Sequence, residues 1–182
     1  EIYRCPSTAN GFEYRPLSNI LHNSWINCLL CSTNDKLYIG TYDGLGCLDI
    51  PTMDFVSTYE INRLLQGDVI YALYEDLHHN IWVGTSQGLK QLNPQTQKVR
   101  EYTISDGLPS NSISAIEGDA NGNLWISTNF GISRFNPGTQ TFVNFYASDG
   151  LQGNEFSKGV SFASTQGEII FGSTSGITYF NP

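Results

Sequence analysis

The sequence predicts an all-β fold built from repeated sheets, and three observations support this. A motif recurs four times, in which an apolar pair precedes a Gly or Ser, and a Gly with Leu or Ile follows a few residues later. Its anchors stand 44, 43 and 45 residues apart, at Gly40, Gly84, Ser127 and Gly172. The chain is 40% hydrophobic and contains 18 glycines, which suits a packed core with many turns. A period in the forties is typical of a propeller or a solenoid.

Each repeat reads as four antiparallel strands. A short apolar run opens the repeat, and a polar turn leads to a second strand that carries the aromatic or aliphatic pair. A third strand ends at Asn-Pro, where proline cannot continue a ladder. The fourth alternates apolar and polar residues. The opening runs lie at 26–30, 69–74, 113–116 and 160–163. Four strands in about 44 residues make one blade of a β-propeller.

The repeats divide the chain into five predicted units. They are a partial blade at 1–17, blades at 18–62, 63–105 and 106–150, and an incomplete last blade at 151–182. The two partial units either complete each other and close a small ring of four, or the chain is an arc of a larger propeller. Because four blades is the lower limit for a ring, the arc is favoured. Helical repeats are disfavoured, since no long stretch has apolar residues at helical spacing.

Charge and cysteine content exclude several classes of function. The net charge is -8 and nine basic residues are scattered along the chain, which argues against nucleic-acid binding. No apolar run is long enough to span a membrane. Cys28 and Cys31 have the spacing of half a zinc site, but no second pair follows, so they, Cys5 and Cys47 are expected to be buried or half-buried free thiols. The loop at Asp119 lacks the ligands of a calcium site. We expect no metal and no cofactor.

Catalysis is not expected, because three histidines offer little material for a nucleophile with its base. His78 and His79 fall in a predicted turn. A propeller enzyme that uses an acid such as Glu117 is the least favoured of three functional hypotheses. A non-catalytic scaffold that binds another protein on its rim is the second, and the preferred hypothesis rests on a family resemblance.

The repeat resembles the two-component regulator propeller repeat. The shared pattern is Asp-x-x-Gly-x-Leu/Ile-Trp-Ile/Val-Gly/Ser-Thr-x-x-Gly-Leu/Ile followed by Phe/Leu-Asn-Pro, and 119–137 is the nearest copy. The segments 105–111 and 148–154 resemble the linkers that join one blade of that family to the next. Phe171 is taken to replace the Trp of the repeat in a last blade. Tyr38 stands where Trp82 and Trp125 stand in the other copies.

The resemblance implies an extracytoplasmic sensor. In that family, two seven-bladed propellers precede an immunoglobulin-like module, a membrane helix and a histidine kinase, in hybrid two-component systems of Bacteroidetes. The segment is then periplasmic, in a parent protein anchored in the inner membrane. The expected partners are an oligosaccharide ligand, the rest of the parent propeller, the downstream immunoglobulin-like module and a second copy in a homodimer.

Candidate ligand-binding residues lie in the linkers. Trp25, beside His22, is outside the repeated Trp position and is a candidate for stacking on a sugar ring. Short polar side chains in two further linkers could bond hydroxyl groups, although the same residues also make tight turns. These are Asp106, Asn111, Asp149 and Asn154. The recurring residues are instead expected to pack between blades. They are Trp82, Trp125, Phe171, Gly40, Gly84 and Gly172.

Overall fold

Consecutive antiparallel strands form every sheet in the described part of the chain. The structure, a computed structural model, describes residues 2–4, 13–15, 25–52, 54–56, 65 and 67–182. The strands are β1 (Ile2–Arg4), β2 (Glu13–Arg15), β3 (Ile26–Cys31), β4 (Lys36–Thr41), β5 (Gly44–Asp49), β6 (Ile70–Glu75), β7 (Ile81–Thr85), β8 (Leu89–Asn93), β9 (Lys98–Tyr102), β10 (Ile113–Gly118), β11 (Leu124–Thr128), β12 (Gly131–Asn136), β13 (Thr141–Phe145), β14 (Ser161–Ala163), β15 (Ile169–Ser173) and β16 (Gly176–Phe180).

Four main sheets follow one another along the chain. Sheet I contains β3 to β5, sheet II contains β6 to β9, sheet III contains β10 to β13 and sheet IV contains β14 to β16, each in sequential order. A separate hairpin pairs β1 with β2. An isolated bridge joins Leu48 to Phe55, where a fourth strand of sheet I is expected. The predicted fold class is confirmed, since the chain is an all-β arc of a propeller. The blade limits predicted above stay a prediction.

Two short 3₁₀ helices, which the sequence did not predict, lie in the linkers. They span Ile104–Asp106 and Ala147–Asp149, between an outer strand and the next inner strand. In the first, Asp106 accepts a hydrogen bond from the backbone of Thr103, and Gly107 ends the helix at φ 117°. That φ lies in the left-handed region, which glycine adopts without the steric cost that a side chain would bring.

Neighbouring sheets pack face to face through apolar side chains. Between sheets II and III, Trp82 and Tyr102 pack against Leu124, Ile126 and Phe135. The same arrangement joins sheet I to sheet II, and sheet III to sheet IV. In each interface, the residue equivalent to Trp82 on one sheet packs in the same cluster as the residue equivalent to Ile126 on the next sheet. The repeat thus builds one core per pair of sheets, as expected of an array whose units contact mainly their neighbours.

Small residues allow these sheets to approach closely. A Cβ added to Gly84 would lie 2.6 Å from Cγ2 of Ile113 on the next sheet, and one added to Gly40 would lie 2.6 Å from Cγ2 of Ile70. At Gly172 the obstacle is Val160, 2.5 Å away. Ser127 fills the equivalent position in sheet III, where its buried hydroxyl has no hydrogen-bond partner among the described residues.

The register corrects one assignment made from the sequence. Trp125 pairs with Arg134, and Ile126 pairs with Ser133. In sheet IV, Ile170 pairs with Tyr179 at the position that corresponds to Trp125. Ile170, and not Phe171, therefore replaces the Trp of the repeat. Phe171 takes the position of Ile126 and is fully buried against sheet III. The sequence comparison was wrong by one residue because both neighbours are apolar, and a one-residue slip moves a side chain to the other face.

An apolar groove runs beside β16, which pairs only with β15 in the described part of the chain. Its volume is about 280 Å³ and its lining includes Trp125, Phe145, Gly150 and Phe180. In sheet III the corresponding space holds Phe142, which stacks on Phe135 with ring centres 4.3 Å apart. Gly107 is the equivalent of Gly150. A Cβ added to Gly107 would lie 3.2 Å from Phe142, whereas nothing lies within 4 Å of a Cβ added to Gly150.

Three cysteines are described, and all three are free. Cys47 is buried and Cys28 is half-buried, as predicted. Cys31 is exposed, and the prediction was wrong there because this residue shares a face of β3 with Leu29, which is also exposed. Burial raises the pKa of the Cys28 thiol to about 12, which keeps it protonated and unsuited to metal binding. Cys5 lies outside the described residues.

Candidate functional site

A small cavity lies where the inner strands begin, at the end of the sheets that the linkers cross. Its volume is about 150 Å³, and its walls come from sheets I and II and from the segment before sheet IV. The lining residues are Asn27, Tyr42, Tyr71, Lys158 and Gly159. The cavity therefore combines two phenols, an amide and one cation in a small space.

A recurring β-bulge places Asn27 and Tyr71 there. The pairing of β3 with β4 shifts between Ile26 and Cys28, and that of β6 with β7 shifts between Ile70 and Ala72. The residue inside each shift is unpaired, and a bulge re-aims its side chain. A third bulge lies at Ser114 in β10.

Two of the three bulge residues hold the next sheet. The Asn27 amide donates to the carbonyl oxygen of Ile70 at 2.9 Å, and the Ser114 hydroxyl donates to that of Phe156 at 3.0 Å. Tyr71 departs from this pattern, because within the described residues its side chain makes no such bond. Its ring lies under Lys158 instead, with Nζ 3.3 Å from the ring centre.

A local insertion brings Lys158 to Tyr71. In sheet II, Leu73 pairs with Val83 and lies three residues after Ile70. In sheet IV, Phe156 is the equivalent of Ile70, because its carbonyl oxygen accepts the bond from the preceding bulge residue. Ser161 is the equivalent of Leu73, because it pairs with Phe171. These two residues are five apart, so this repeat has two extra residues. They form a turn in which Gly159, at φ 70°, donates its backbone N–H to the carbonyl of Ser114 at 2.9 Å. The turn thus crosses sheet III and reaches sheet II.

Trp25 is 80% exposed, and its backbone lies against that of Tyr42, a residue of the cavity wall. Its carbonyl accepts a hydrogen bond from the backbone N–H of Tyr42 at 3.2 Å, and the Tyr42 side chain, which lines the cavity, is 53% exposed. Two neighbouring residues therefore both carry exposed aromatic side chains. His22, the neighbour that the sequence proposed for Trp25, lies outside the described residues.

The polar linker residues make local hydrogen bonds. Oδ1 of Asn111 accepts the backbone N–H of Ile104 at 2.8 Å, while Asp106 binds the backbone N–H of Thr103. The second linker repeats this, since Asp149 accepts from Tyr146 and Asn154 accepts from Ala147. These oxygens order the two 3₁₀ helices. The structure places the four residues in two separate linkers, and none of them lines the cavity beside Trp25.

The repeated tryptophans are buried and fixed by a carboxylate. Trp82 is fully buried and Trp125 is 7% exposed. The indole Nε1 of Trp82 donates to Asp76 at 2.8 Å, and that of Trp125 donates to Asp119 at 3.0 Å. Burial alone would raise the pKa of Asp119, but hydrogen bonds from Asn123, Trp125 and the turn backbone outweigh it and lower that pKa. The Asp of the repeat is thus engaged with the tryptophan of its own sheet.

A larger cleft of about 400 Å³ lies at the opposite end of sheets II and III. Its lining includes His78, Asn80 and Asn121 from the turns and Gln91 from β8. His79, in the same turn, lies 3.0 Å from Glu75 through Nδ1. On β10, burial raises the pKa of Glu117, and the neighbouring Ser161 side chain offsets part of this rise. Neither histidine lines the cavity beside Trp25, and within the described residues no His, Cys, Asp or Glu cluster could hold a metal.

Comparisons with known proteins define the class first. The chain is similar to the extracellular domain of a putative hybrid two-component system from B. thetaiotaomicron, at 23% identity and TM-score 0.69, over 86% of this chain and 28% of that one. A putative one-component system of the same organism gives 21% identity and TM-score 0.77, over 98% and 24%. Virginiamycin B lyase from Staphylococcus aureus gives 16% identity and TM-score 0.64, over 94% and 59%. These likenesses show a propeller fold, and the chain spans about a quarter of the first two.

The family model then identifies the repeat. Residues 107–130 match the model described as two component regulator propeller. The resemblance predicted from the sequence is thereby confirmed, and the chain carries a two-component regulator propeller repeat. No curated protein sequence matches the chain significantly. Among the described residues, no helix is both long and apolar enough to cross a membrane.

Proposed function

We propose that this chain is part of an extracytoplasmic ligand-sensing propeller in a two-component sensor, and that its ligand is an oligosaccharide. The repeat match and the likeness to extracellular domains of two-component systems support the sensor role. The parent protein then lies in the inner membrane, with this segment in the periplasm and a histidine kinase on the other side. The rest of the propeller and an immunoglobulin-like module are its covalent partners.

The exposed aromatic edge beside the cavity carries the ligand assignment. Trp25 is 80% exposed, although most tryptophan side chains in a folded domain are largely buried. An aromatic face suits the apolar face of a pyranose, and the Asn27 amide and the phenols of Tyr42 and Tyr71 supply hydrogen bonds for hydroxyl groups. An apolar platform with a few convergent polar groups is the usual form of a small-ligand site.

Signalling requires more than binding. The ligand must bind two states of the sensor unequally, since equal affinity shifts no equilibrium. The cavity draws its walls from sheets I and II and from the segment before sheet IV, so a ligand there contacts three repeat units together. We propose that ligand binding changes how the sheets pack or how two copies associate, and so biases the kinase.

A thermal-shift experiment tests the proposal. The full extracytoplasmic region of the parent protein is screened against oligosaccharides from plant, host and microbial polysaccharides. A ligand at a hundred times its dissociation constant adds about 2.7 kcal/mol of stability, which raises the melting temperature clearly. Trp25→Ala should remove this shift. Leu77→Ala, which truncates a 74% exposed side chain in a turn of sheet II, should keep it.

A non-catalytic protein-binding scaffold is the second candidate. Exposed apolar side chains at the same end of the sheets favour it, because Ile104 is 57% exposed and Phe130 is 53% exposed. Large exposed apolar groups are typical of protein-binding surfaces. A folded protein that responds to no sugar but retains one protein partner in stoichiometric amount would establish this function and reject the first.

A further inference from the structure

We infer that Lys158 makes this site selective for oligosaccharides that carry an anionic group, a carboxylate or a sulfate. The inference rests on the proposed function, since it names the ligand class of the same cavity. Its starting point is the place where the chain departs from its own repeat.

The two extra residues before β14 have no role in the core between sheets III and IV. That core is built by Trp125, Ile132, Phe156, Ile169 and Phe171. Lys158 and Gly159 are both exposed, and both line the cavity. Where a repeat protein breaks a rule that its other units obey, a functional reason is expected. Here the insertion carries a lysine across to a tyrosine two sheets away.

Tyr71 breaks the pattern of its repeat at the same point. Its counterparts Asn27 and Ser114 use their side chains to hold a carbonyl of the next sheet. Tyr71 gives up that bond and presents its ring to the Lys158 ammonium. Two independent departures, one in sheet II and one in sheet IV, therefore meet in a single contact inside one cavity.

The charge of Lys158 has no carboxylate partner among the described residues. Within the described part of the chain its ammonium contacts the Tyr71 ring, which can satisfy only one side of it. Acidic residues outnumber lysines and arginines by 17 to 9 in this chain, and Lys36 and Lys90 both pair with a carboxylate. Lys98, Arg100 and Arg134 also lack a carboxylate partner among the described residues, but Lys158 is the basic side chain of this group that lines the cavity. A cation in that position fits an anion brought by the ligand.

The geometry gives the ligand a defined orientation. The neutral part of a sugar stacks on Trp25 or Tyr42 at the edge, while its acidic substituent enters the cavity of about 150 Å³ and meets Nζ of Lys158. The amide of Asn27 and the phenol of Tyr71 flank that position. A charge-assisted hydrogen bond is about twice as strong as a neutral one, so the acidic group dominates selectivity.

Matched pairs of oligosaccharides that differ only in charge provide the test. Oligogalacturonate is compared with its methyl ester, and a sulfated galactan oligosaccharide with its neutral desulfated form, by calorimetry on the full extracytoplasmic region. The acidic member of at least one pair should bind roughly ten to a hundred times more tightly, the range expected for one hydrogen bond to a charged group. Lys158→Met keeps the apolar stem and should abolish that preference without changing the melting temperature of the free protein.

Lys98→Met is the matched control. It removes one exposed lysine from the outer strand β9, away from the cavity, and should keep the full preference for the acidic form. Equal binding of both members of every pair would overturn the inference and leave carbohydrate sensing intact. A preference for the acidic form that survives in Lys158→Met would also overturn it. Failure of every oligosaccharide to bind would overturn the proposed function as well.

Discussion

At the scale of single residues, each of these repeats is stabilised by a carboxylate that accepts a hydrogen bond from a tryptophan side chain. Asp119 accepts the indole N–H of Trp125 together with backbone and side-chain donors of its own turn. Asp76 and Trp82 repeat the arrangement one sheet earlier. A motif that reads as a turn signal in the sequence is thus also the device that fixes the large side chain of each core.

Asp119→Asn should make the free energy of unfolding less dependent on pH at acid pH. The folded pKa of Asp119 lies below the ordinary value of 3.8, so its stabilisation is complete above pH 3.8 and is lost as the pH falls through the folded pKa. The amide cannot accept all the same donors, and the variant should lose about 2 kcal/mol near neutral pH. Urea unfolding from about pH 5 down to about pH 2 measures both effects.

Asp35→Asn is the control for that experiment. Asp35 is an exposed carboxylate in the turn between β3 and β4, at φ 55°, which asparagine also tolerates. The control should keep the wild-type pH dependence. An Asp119→Asn variant whose stability still falls in parallel with wild type at low pH would contradict the role assigned to this carboxylate.

Gly84→Ala should destabilise the chain by overpacking. The added Cβ would lie 2.6 Å from Ile113 and 3.2 Å from Ala72, both in strands that cannot move freely. Overpacking of this kind costs about 1–3 kcal/mol. Gly153→Ala, with nothing within 4 Å of its Cβ, should be almost neutral in the same urea measurement. Equal stability of the two variants would argue against close approach of sheets II and III at this point.

At the scale of elements, the described part of the chain departs from its repeat in the turn before β14. Inner strands β6 and β10 begin with a one-residue bulge, whereas sheet IV has two further residues that form the turn around Gly159. The change from 43 to 45 in the spacing of the motif records this insertion in the sequence. Its position, across sheet III and against Tyr71, could be seen only in the folded chain.

Deletion of Lys158 and Gly159 should abolish ligand binding and leave the fold intact. The core of Trp125 and Phe171 does not include either residue, and the lost hydrogen bond from Gly159 costs about 1 kcal/mol. The shortened chain should therefore remain folded by circular dichroism and lose response to the glycan that binds the wild type. Loss of the folded signal would show instead that the turn is required to place sheet IV.

At the scale of the whole molecule, the arc is a stack of sheets with a separate core between each pair. Trp82 and Trp125 lie in different clusters on the two sides of sheet III, and these clusters have no residue in common. In such an array, stability is close to a sum of terms from single units and from neighbouring pairs.

Trp82→Leu and Trp125→Leu should therefore be additive. The free energy lost by the double variant should equal the sum of the two single losses within about 0.5 kcal/mol. Urea unfolding of the four proteins measures the difference. A coupling clearly larger than this would mean that sheet III transmits packing strain from one interface to the other, and that the arc unfolds as a more tightly coupled unit.

The sequence by itself determined the period, the strands and the all-β class, because alternation of apolar residues, turn chemistry and the Asn-Pro breaks are local signals. It also identified Trp25 as the tryptophan outside the pattern. It misplaced the Trp position of sheet IV by one residue, since only the pairing register distinguishes Ile170 from Phe171. The site was beyond its reach. Asn27, Tyr71 and Lys158 are far apart in the chain, and they meet only because the propeller brings the starts of its inner strands around one centre.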